Sequence, residues 1–285
     1  MLINGHPRDS VPAGDRGLQY GDGLFETLAV VAGQPCLWKQ HLARLAAGCR
    51  RLGIPPLDWE QLAVEAQHLV ANQARAVLKI LVTRGSGGRG YRPPQGAEPT
   101  RILSVHPMPD YPADWRRAGV RVRLCQTRLG MNPGLAGIKH LNRLEQVMAR
   151  AEWNDPEIAE GLMRDADGHW VAGTQTNLFL VGVDGRLTTP ALARCGVAGV
   201  MRGWVLEQAP AHGLPVDETE VESADLAAVR GLFLTNSLIG IWPVRELEGR
   251  RYDPDALAPA LRSALLRKAF APGDAEFADA PQCSF

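Results

Sequence analysis

Residues 129–150, LGMNPGLAGIKHLNRLEQVMAR, decide how the rest of the chain is read. Residues 131–137 hold an asparagine, a proline and two glycines, a composition that cannot continue a helix. Beyond that loop, Leu141, Leu144, Val147 and Met148 fall on one helical face, with Arg143, Glu145 and Gln146 turned away from it. Asn142 with Glu145 three residues on predicts a capping box and a helix start at about Arg143. Lys139 is thereby set at the end of a Gly-rich loop, just ahead of a helix and beside His140 and Arg143. The chain has only four lysines, Lys39, Lys79, Lys139 and Lys268, against many arginines. Nearby cations and an apolar wall both disfavour the ammonium form, which frees an amine for Schiff-base chemistry. On the local pattern alone an ordinary solvated loop lysine is the commoner reading.

Upstream, a short strand and turn at residues 2–5 lead to the Gly-rich segment 15–23 and a strand over 24–31, with a hairpin at Gly33. Leu42, Leu45, Ala46 and Cys49 then recur at helical spacing until Gly53 and two prolines stop the run. Asp58 caps a second helix through about Ala74, with Leu62, Ala66, Leu69 and Val70 inward. Strands are expected over 76–83 and 100–105. Between them GSGGRG, residues 85–90, matches G-x-G-x-x-G, but Tyr91-Arg92-Pro93-Pro94 follows and forbids the helix that a dinucleotide site requires. It is read as a long glycine loop.

Three prolines within 106–112 read as a linker. The expected division is an N-terminal α/β domain over 1–107, a linker over 108–118, a domain carrying Lys139 over 119–272, and a disordered tail over 273–285. Downstream, strands are expected at 120–125, 161–163, 178–183, 187–188, 231–235 and 239–244, and helices at 200–209 and 254–269.

With 285 residues the chain can hold one large or two medium domains. Lys plus Arg and Asp plus Glu both number 31, so no basic field points to nucleic acid or an anionic membrane. No apolar run reaches the length of a membrane span, and the N-terminus has no apolar stretch behind a basic start, so no signal peptide is expected. Five scattered cysteines without a C-x-x-C pair argue against a disulfide framework or a zinc site, and for a reducing, cytoplasmic setting.

Three separated features each suit a small dianion. Gly199 and Val200 precede a helix, where free amides and the dipole favour negative charge. Thr235, Asn236 and Ser237 end a strand at a small polar turn. Arg44 on the first long helix can give a bidentate phosphate contact. Taken singly, these are a helix start, a solvated turn and a surface arginine. Together with Lys139 they point to pyridoxal 5′-phosphate, held by its phosphate and bonded to the lysine.

The blocks GDGLFETLAV, HLARL, TRGSGGRGY, LAGIKHLNRLEQV, TNLFLV, GVMR and NSLIGIWPV resemble, in order and spacing, the fold-type IV pyridoxal-phosphate enzymes. Through GSGGRGY and GIKHLNRLEQV the chain is similar to the aminodeoxychorismate lyase branch of that family; HLARL and TNLFLV are shared with the branched-chain and D-amino-acid transaminases. The resemblance covers roughly residues 1–270. It implies an α/β (α+β) subunit of two domains, a smaller N-terminal α/β domain and a larger C-terminal domain with a barrel-like sheet, and a homodimer. It also implies a small-molecule substrate, 4-amino-4-deoxychorismate, split to 4-aminobenzoate and pyruvate for folate biosynthesis. Lys139 matches the lysine that carries the cofactor. Arg44, the amides of Gly199 and Val200, and Ser237 match the phosphate ligands, with Asn236 adjoining. Arg89 and Asn142 lie in the lyase-specific blocks as substrate contacts.

One departure matters. Members of the family usually carry a glutamate five residues before the asparagine of the NLF block, where it meets the pyridine nitrogen; here that position is Ala172. Without the carboxylate the ring is a poorer electron sink. That is a serious loss for transamination and a smaller one for a lyase whose product gains an aromatic ring. A transaminase of the same fold and a non-catalytic ligand-binding protein remain the alternatives, and Glu152 or Glu160 reaching the ring would remove the departure.

Overall fold

The computed structural model describes residues 1–270, which form two compact units. The expected disordered tail over 273–285 lies outside the described residues.

The first unit comprises Met1–Pro109 together with Ile138–Asn142. Its elements are β1 (Leu2–Ile3), β2 (His6–Pro7), α1 (Arg16–Tyr20), β3 (Gly23–Val31), β4 (Gln34–Pro35), α2 (Trp38–Leu52), α3 (Trp59–Val70), β5 (Arg75–Thr83) and β6 (Thr100–His106). The strands make one antiparallel sheet in the order β2-β1-β6-β5-β3-β4. Period-2 alternation along β3 turns Leu24, Leu28 and Val30 into the core, where they join Leu42, Leu45 and Cys49 of α2, Leu62, Ala66 and Val70 of α3, and Leu78, Ile80 and Val82 of β5. The helical spacing of α2 and α3 therefore identifies their buried faces correctly. Asp58 caps α3 as expected, its carboxylate accepting from the Gln61 amide at 2.9 Å. The Gly-rich lead-in at 15–23 is a short helix, α1, capped by Asp15 and closed by Gly21 at φ 65°. The segment 138–142 joins this unit by pairing: the Phe25 amide donates to the Lys139 carbonyl at 3.0 Å and the Leu141 amide to Gly23 at 3.0 Å.

The second unit comprises Asp110–Gly137 and Arg143–Ala269. Its strands are β7 (Val120–Leu124), β8 (Ile158–Arg164), β9 (Trp170–Gly173), β10 (Asn177–Val181), β11 (Leu187–Pro190), β12 (Val216–Thr219), β13 (Gly231–Asn236), β14 (Gly240–Leu247) and β15 (Arg250–Arg251). Its helices are α4 (Trp115–Ala118), α5 (Leu144–Arg150), α6 (Val200–Gln208), α7 (Ser223–Ala228) and α8 (Pro259–Ala269). The main sheet runs β12-β11-β10-β13-β14-β7-β8-β9, and β9 returns to β10 through the pair Ala172 and Asn177, which closes six strands into a barrel. Closure leaves those strands no open edge. Val120, Val122, Leu162, Trp170, Leu178, Leu232, Leu234 and Trp242 form the main core of this unit. The described residues thus form the α/β subunit with a barrel-like sheet that the resemblance implied.

The expected capping box at Asn142 and Glu145 does not form. Helix α5 starts at Leu144 with Arg143 as its N-cap and no side-chain cap. The Asn142 amide donates instead to the Gly21 carbonyl at 3.2 Å, and Glu145 accepts from the Gly130 amide at 2.8 Å. Each polar side chain finds a backbone partner that sequence spacing cannot display. The apolar face is also not turned inward: Leu144, Val147 and Met148 are 76%, 61% and 62% exposed. Strands β9 and β12 and helix α7 are absent from the sequence reading, because four to six residues are too few for a period to emerge.

Candidate active site

In the first unit, Lys139 is held against the start of β3. Its Nζ lies 4.1 Å from the centroid of the Phe25 ring, in cation–π geometry. One residue on, Glu26 occupies the core-facing row of β3 among Leu24, Leu28 and Val30, and is 1% exposed. Glu26 Oε1 accepts from Arg44 Nε at 2.8 Å, and Oε2 accepts from Arg44 Nη2 at 2.5 Å and meets His41 Nδ1 at 2.6 Å. Burial pushes the Glu26 carboxyl up, but the charges of Arg44 and His41 and their hydrogen bonds outweigh it and hold it at about 2. Burial drives His41 the opposite way, below its ordinary value, against the pull of Glu26; the charges of Arg44 and Lys139 both bear on the same imidazole. The charges of Arg44 and Lys139 thus act in the same sense on one buried histidine.

The Gly-rich loop is a true loop, with no helix after it. Arg16 ties it down by donating to the Gly90 and Tyr91 carbonyls at 2.9 and 3.0 Å, and Tyr20 accepts from the Gly90 amide at 3.2 Å while its ring meets Tyr91 edge-on. Gly85, at φ 89°, admits no side chain, since a β-carbon there would lie 1.9 Å from the Glu98 carbonyl oxygen. Arg89 is exposed on this loop, and Asn142 is engaged with Gly21.

In the second unit, Asn177 links the start of α6 to the end of β13. Its Nδ2 donates to the Val197 carbonyl at 2.9 Å, and a β-carbon on Gly199 would lie 2.1 Å from its Oδ1. Only glycine fits there. Gly199 is the N-cap of α6 and no side chain caps it, so the first-turn amides beside Val200 suit an anion. Across the β10–β13 pairing Asn177 faces Thr235, which leads into Asn236 and Ser237. Asn236 Oδ1 accepts from the Leu238 and Ile239 amides, each at 2.9 Å, shaping the turn that carries Ser237. The buried hydroxyl of Thr235 has no hydrogen-bond partner.

Both carboxylates considered for the ring nitrogen are engaged by other donors. Glu160 accepts five hydrogen bonds, from the amides of Gly161, Thr174 and Gln175 and the hydroxyls of Thr174 and Thr176. Burial pushes its carboxyl up while those donors pull it down. Glu152 accepts from the Gln126 and Thr127 amides, both at 2.8 Å. Ala172 is buried with Cys125, Met163 and Val171.

The sequence reading named Lys139 and Arg44 and missed Glu26, His41 and Asn177. The available signal was a lone carboxylate inside the apolar strand LFETLAV, with a histidine and an arginine one turn apart in HLARL. Taken by itself, the first unit offers an amine and a braced guanidinium of the kinds that pyridoxal 5′-phosphate requires. Taken by itself, the second offers an amide cradle suited to an anion, which a β-carbon would fill, and an orphaned hydroxyl on the strand paired with Asn177.

The sequence profile of amino-transferase class IV matches residues 23–247. Aminodeoxychorismate lyase of Vibrio harveyi is 39% identical over 242 residues, 85% of this chain and 89% of that protein. The crystal structure of 4-amino-4-deoxychorismate lyase from Pseudomonas aeruginosa matches with a TM-score of 0.90 and 50% identity, covering 94% of this chain and 98% of that one. A PLP-bound hypothetical aminotransferase from Mycobacterium tuberculosis matches with a TM-score of 0.80 and 26% identity, over 94% of this chain and 95% of that one.

Proposed function

Because the chain belongs to the amino-transferase class IV family, we propose that it is a pyridoxal 5′-phosphate-dependent lyase that converts 4-amino-4-deoxychorismate to 4-aminobenzoate and pyruvate. The observation that carries this reading is the placement of Lys139, its amine over the Phe25 ring and its charge, like that of Arg44, bearing on His41. The 50% identity with a lyase of this specificity supports the choice of reaction.

Lys139 would hold the cofactor covalently. Arg44, the Gly199 and Val200 amides and Ser237 would hold its phosphate, with Asn236 shaping the Ser237 turn. When bound, pyridoxal 5′-phosphate supplies an electron sink next to the substrate's amine. The amine of Lys139 takes the proton from the amine-bearing ring carbon as general base. The C–O bond to the enolpyruvyl group breaks, its electron pair leaves with the oxygen, and the departing group gains a proton at its methylene carbon to become pyruvate. Loss of that ring proton and that C–O bond makes the ring aromatic. Arg89 and Asn142 are the substrate contacts in this proposal.

The transaminase reading is disfavoured by the environment of Ala172. Glu160 and Glu152 are each engaged by other donors, which disfavours either as a replacement for the family's glutamate. The exposed face of Leu144, Val147 and Met148 supports the homodimer, and four free, buried cysteines among the described residues support a cytoplasmic, reducing setting. The deciding experiment incubates purified protein carrying pyridoxal 5′-phosphate with 4-amino-4-deoxychorismate. Release of 4-aminobenzoate and pyruvate in equal amounts is expected. Amino-group transfer to 2-oxoglutarate without 4-aminobenzoate would overturn the reading.

A further inference from the structure

The reaction gives Glu26 nothing to do. It is 1% exposed, it sits in a row of β3 otherwise filled by Leu24, Leu28 and Val30, and its two oxygens take three contacts of 2.8 Å or less from Arg44 and His41. A buried ion pair is a poor device for stability, because apolar residues of similar volume hold a core at least as well. Direction is what the pair does supply. Arginine is a long side chain with many rotamers, and Glu26 takes both Nε and Nη2, which fixes the plane of the guanidinium as well as its position. His41 serves Glu26 and not a ligand: its Nδ1 is spent on the carboxylate, and its Nε2 is sealed from solvent without a partner.

We propose that Glu26 is a positioning residue for cofactor recognition, aiming the Arg44 guanidinium at the phosphate, with His41 as the brace of the carboxylate. The inference rests on the reading of Arg44 as a phosphate ligand. Glu26 also offsets part of the charge of Arg44, so the pair selects by geometry more than by net field. With its carboxyl held at about 2, Glu26 stays ionised across any working pH.

Apoprotein is titrated with pyridoxal 5′-phosphate and with pyridoxal, which lacks the phosphate. Wild type, Glu26→Gln, Arg44→Ala and the double variant are compared. Glu26→Gln is expected to weaken pyridoxal 5′-phosphate about tenfold, the scale of one charge-assisted contact, and to leave pyridoxal unchanged. In the Arg44→Ala background it adds no further loss. Equal weakening of both ligands makes Glu26 a structural residue and overturns the proposal, as does a full Glu26→Gln effect without Arg44. Arg44→Ala that keeps the wild-type preference for the phosphorylated ligand refutes the reading of Arg44 itself. Should Glu26→Gln fail to fold, His41→Leu removes only the brace. A smaller, phosphate-selective loss is then expected, and no selective loss overturns the proposal.

Discussion

Replacing Gly199 with alanine tests the proposed phosphate cradle at one atom. The backbone there has φ −65°, so alanine meets no conformational objection. Space is the obstacle, since the new β-carbon would lie 2.1 Å from Asn177 Oδ1 and 3.3 Å from its Cγ. Asn177 is 6% exposed and tied by Nδ2 to the Val197 carbonyl at 2.9 Å, so its amide cannot swing aside freely. If it does swing, that hydrogen bond is lost at about 1 kcal/mol. If the loop retreats instead, overpacking costs about 1–3 kcal/mol and the first amides of α6 leave their places. Titration of apoprotein with pyridoxal 5′-phosphate separates the two routes from a thermal melt. Loop retreat lowers affinity by about 5- to 150-fold; rotation of Asn177 lowers the melting temperature by a few degrees. Wild-type affinity together with wild-type melting would refute the reading of this glycine.

Lys139→Ala is expected to abolish turnover, and borohydride reduction of the native protein to place the pyridoxyl label on the Lys139 peptide; a label on Lys39, Lys79 or Lys268 would sink the assignment. Ala172→Glu should raise side transamination by a larger factor than it raises lyase activity, measured on the same preparation, and equal stimulation or loss of both counts against the account of Ala172. The Glu26 carboxyl moves from an ordinary 4.5 down to about 2 on folding, so its contribution is present above pH 4.5 and lost as pH falls through about 2. In that window the unfolded chain binds the extra proton, and the difference is roughly 3 kcal/mol. Denaturant unfolding at pH 2–5 should therefore show a shallower pH dependence for Glu26→Gln than for wild type, and parallel profiles would be the contrary result.

The long elements were legible because their periods run long enough to be read. Leu42, Leu45 and Cys49 of α2 and the alternation of β3 declare their buried faces without help. The stop after GSGGRG was equally plain, because two prolines leave no amides for a helix start. What stayed hidden depends on partners remote in sequence. Asn142 turns to Gly21, and Glu145 to Gly130, so a spacing that spells a capping box makes none. Glu26 reads as an ordinary mid-strand residue until α2 brings His41 and Arg44 across it. Asn177 was visible only as part of a block; its role as the post against which Gly199 packs is a matter of three dimensions.

The five residues Ile138–Asn142 belong to the first unit although the chain on both sides of them belongs to the second. A fragment ending at Pro109 would hold α2, α3 and the whole six-stranded sheet, yet Gly23 and Phe25 would show unpaired backbone groups where residues 139 and 141 should bond. Such a bare edge invites pairing with other chains. During synthesis Gly23 and Phe25 gain these partners only after residue 141 has emerged, and the amine of Lys139 arrives with them. Lys139 is in this sense a late folding contact, spanning more than a hundred residues, whose loop closure must be met before it forms.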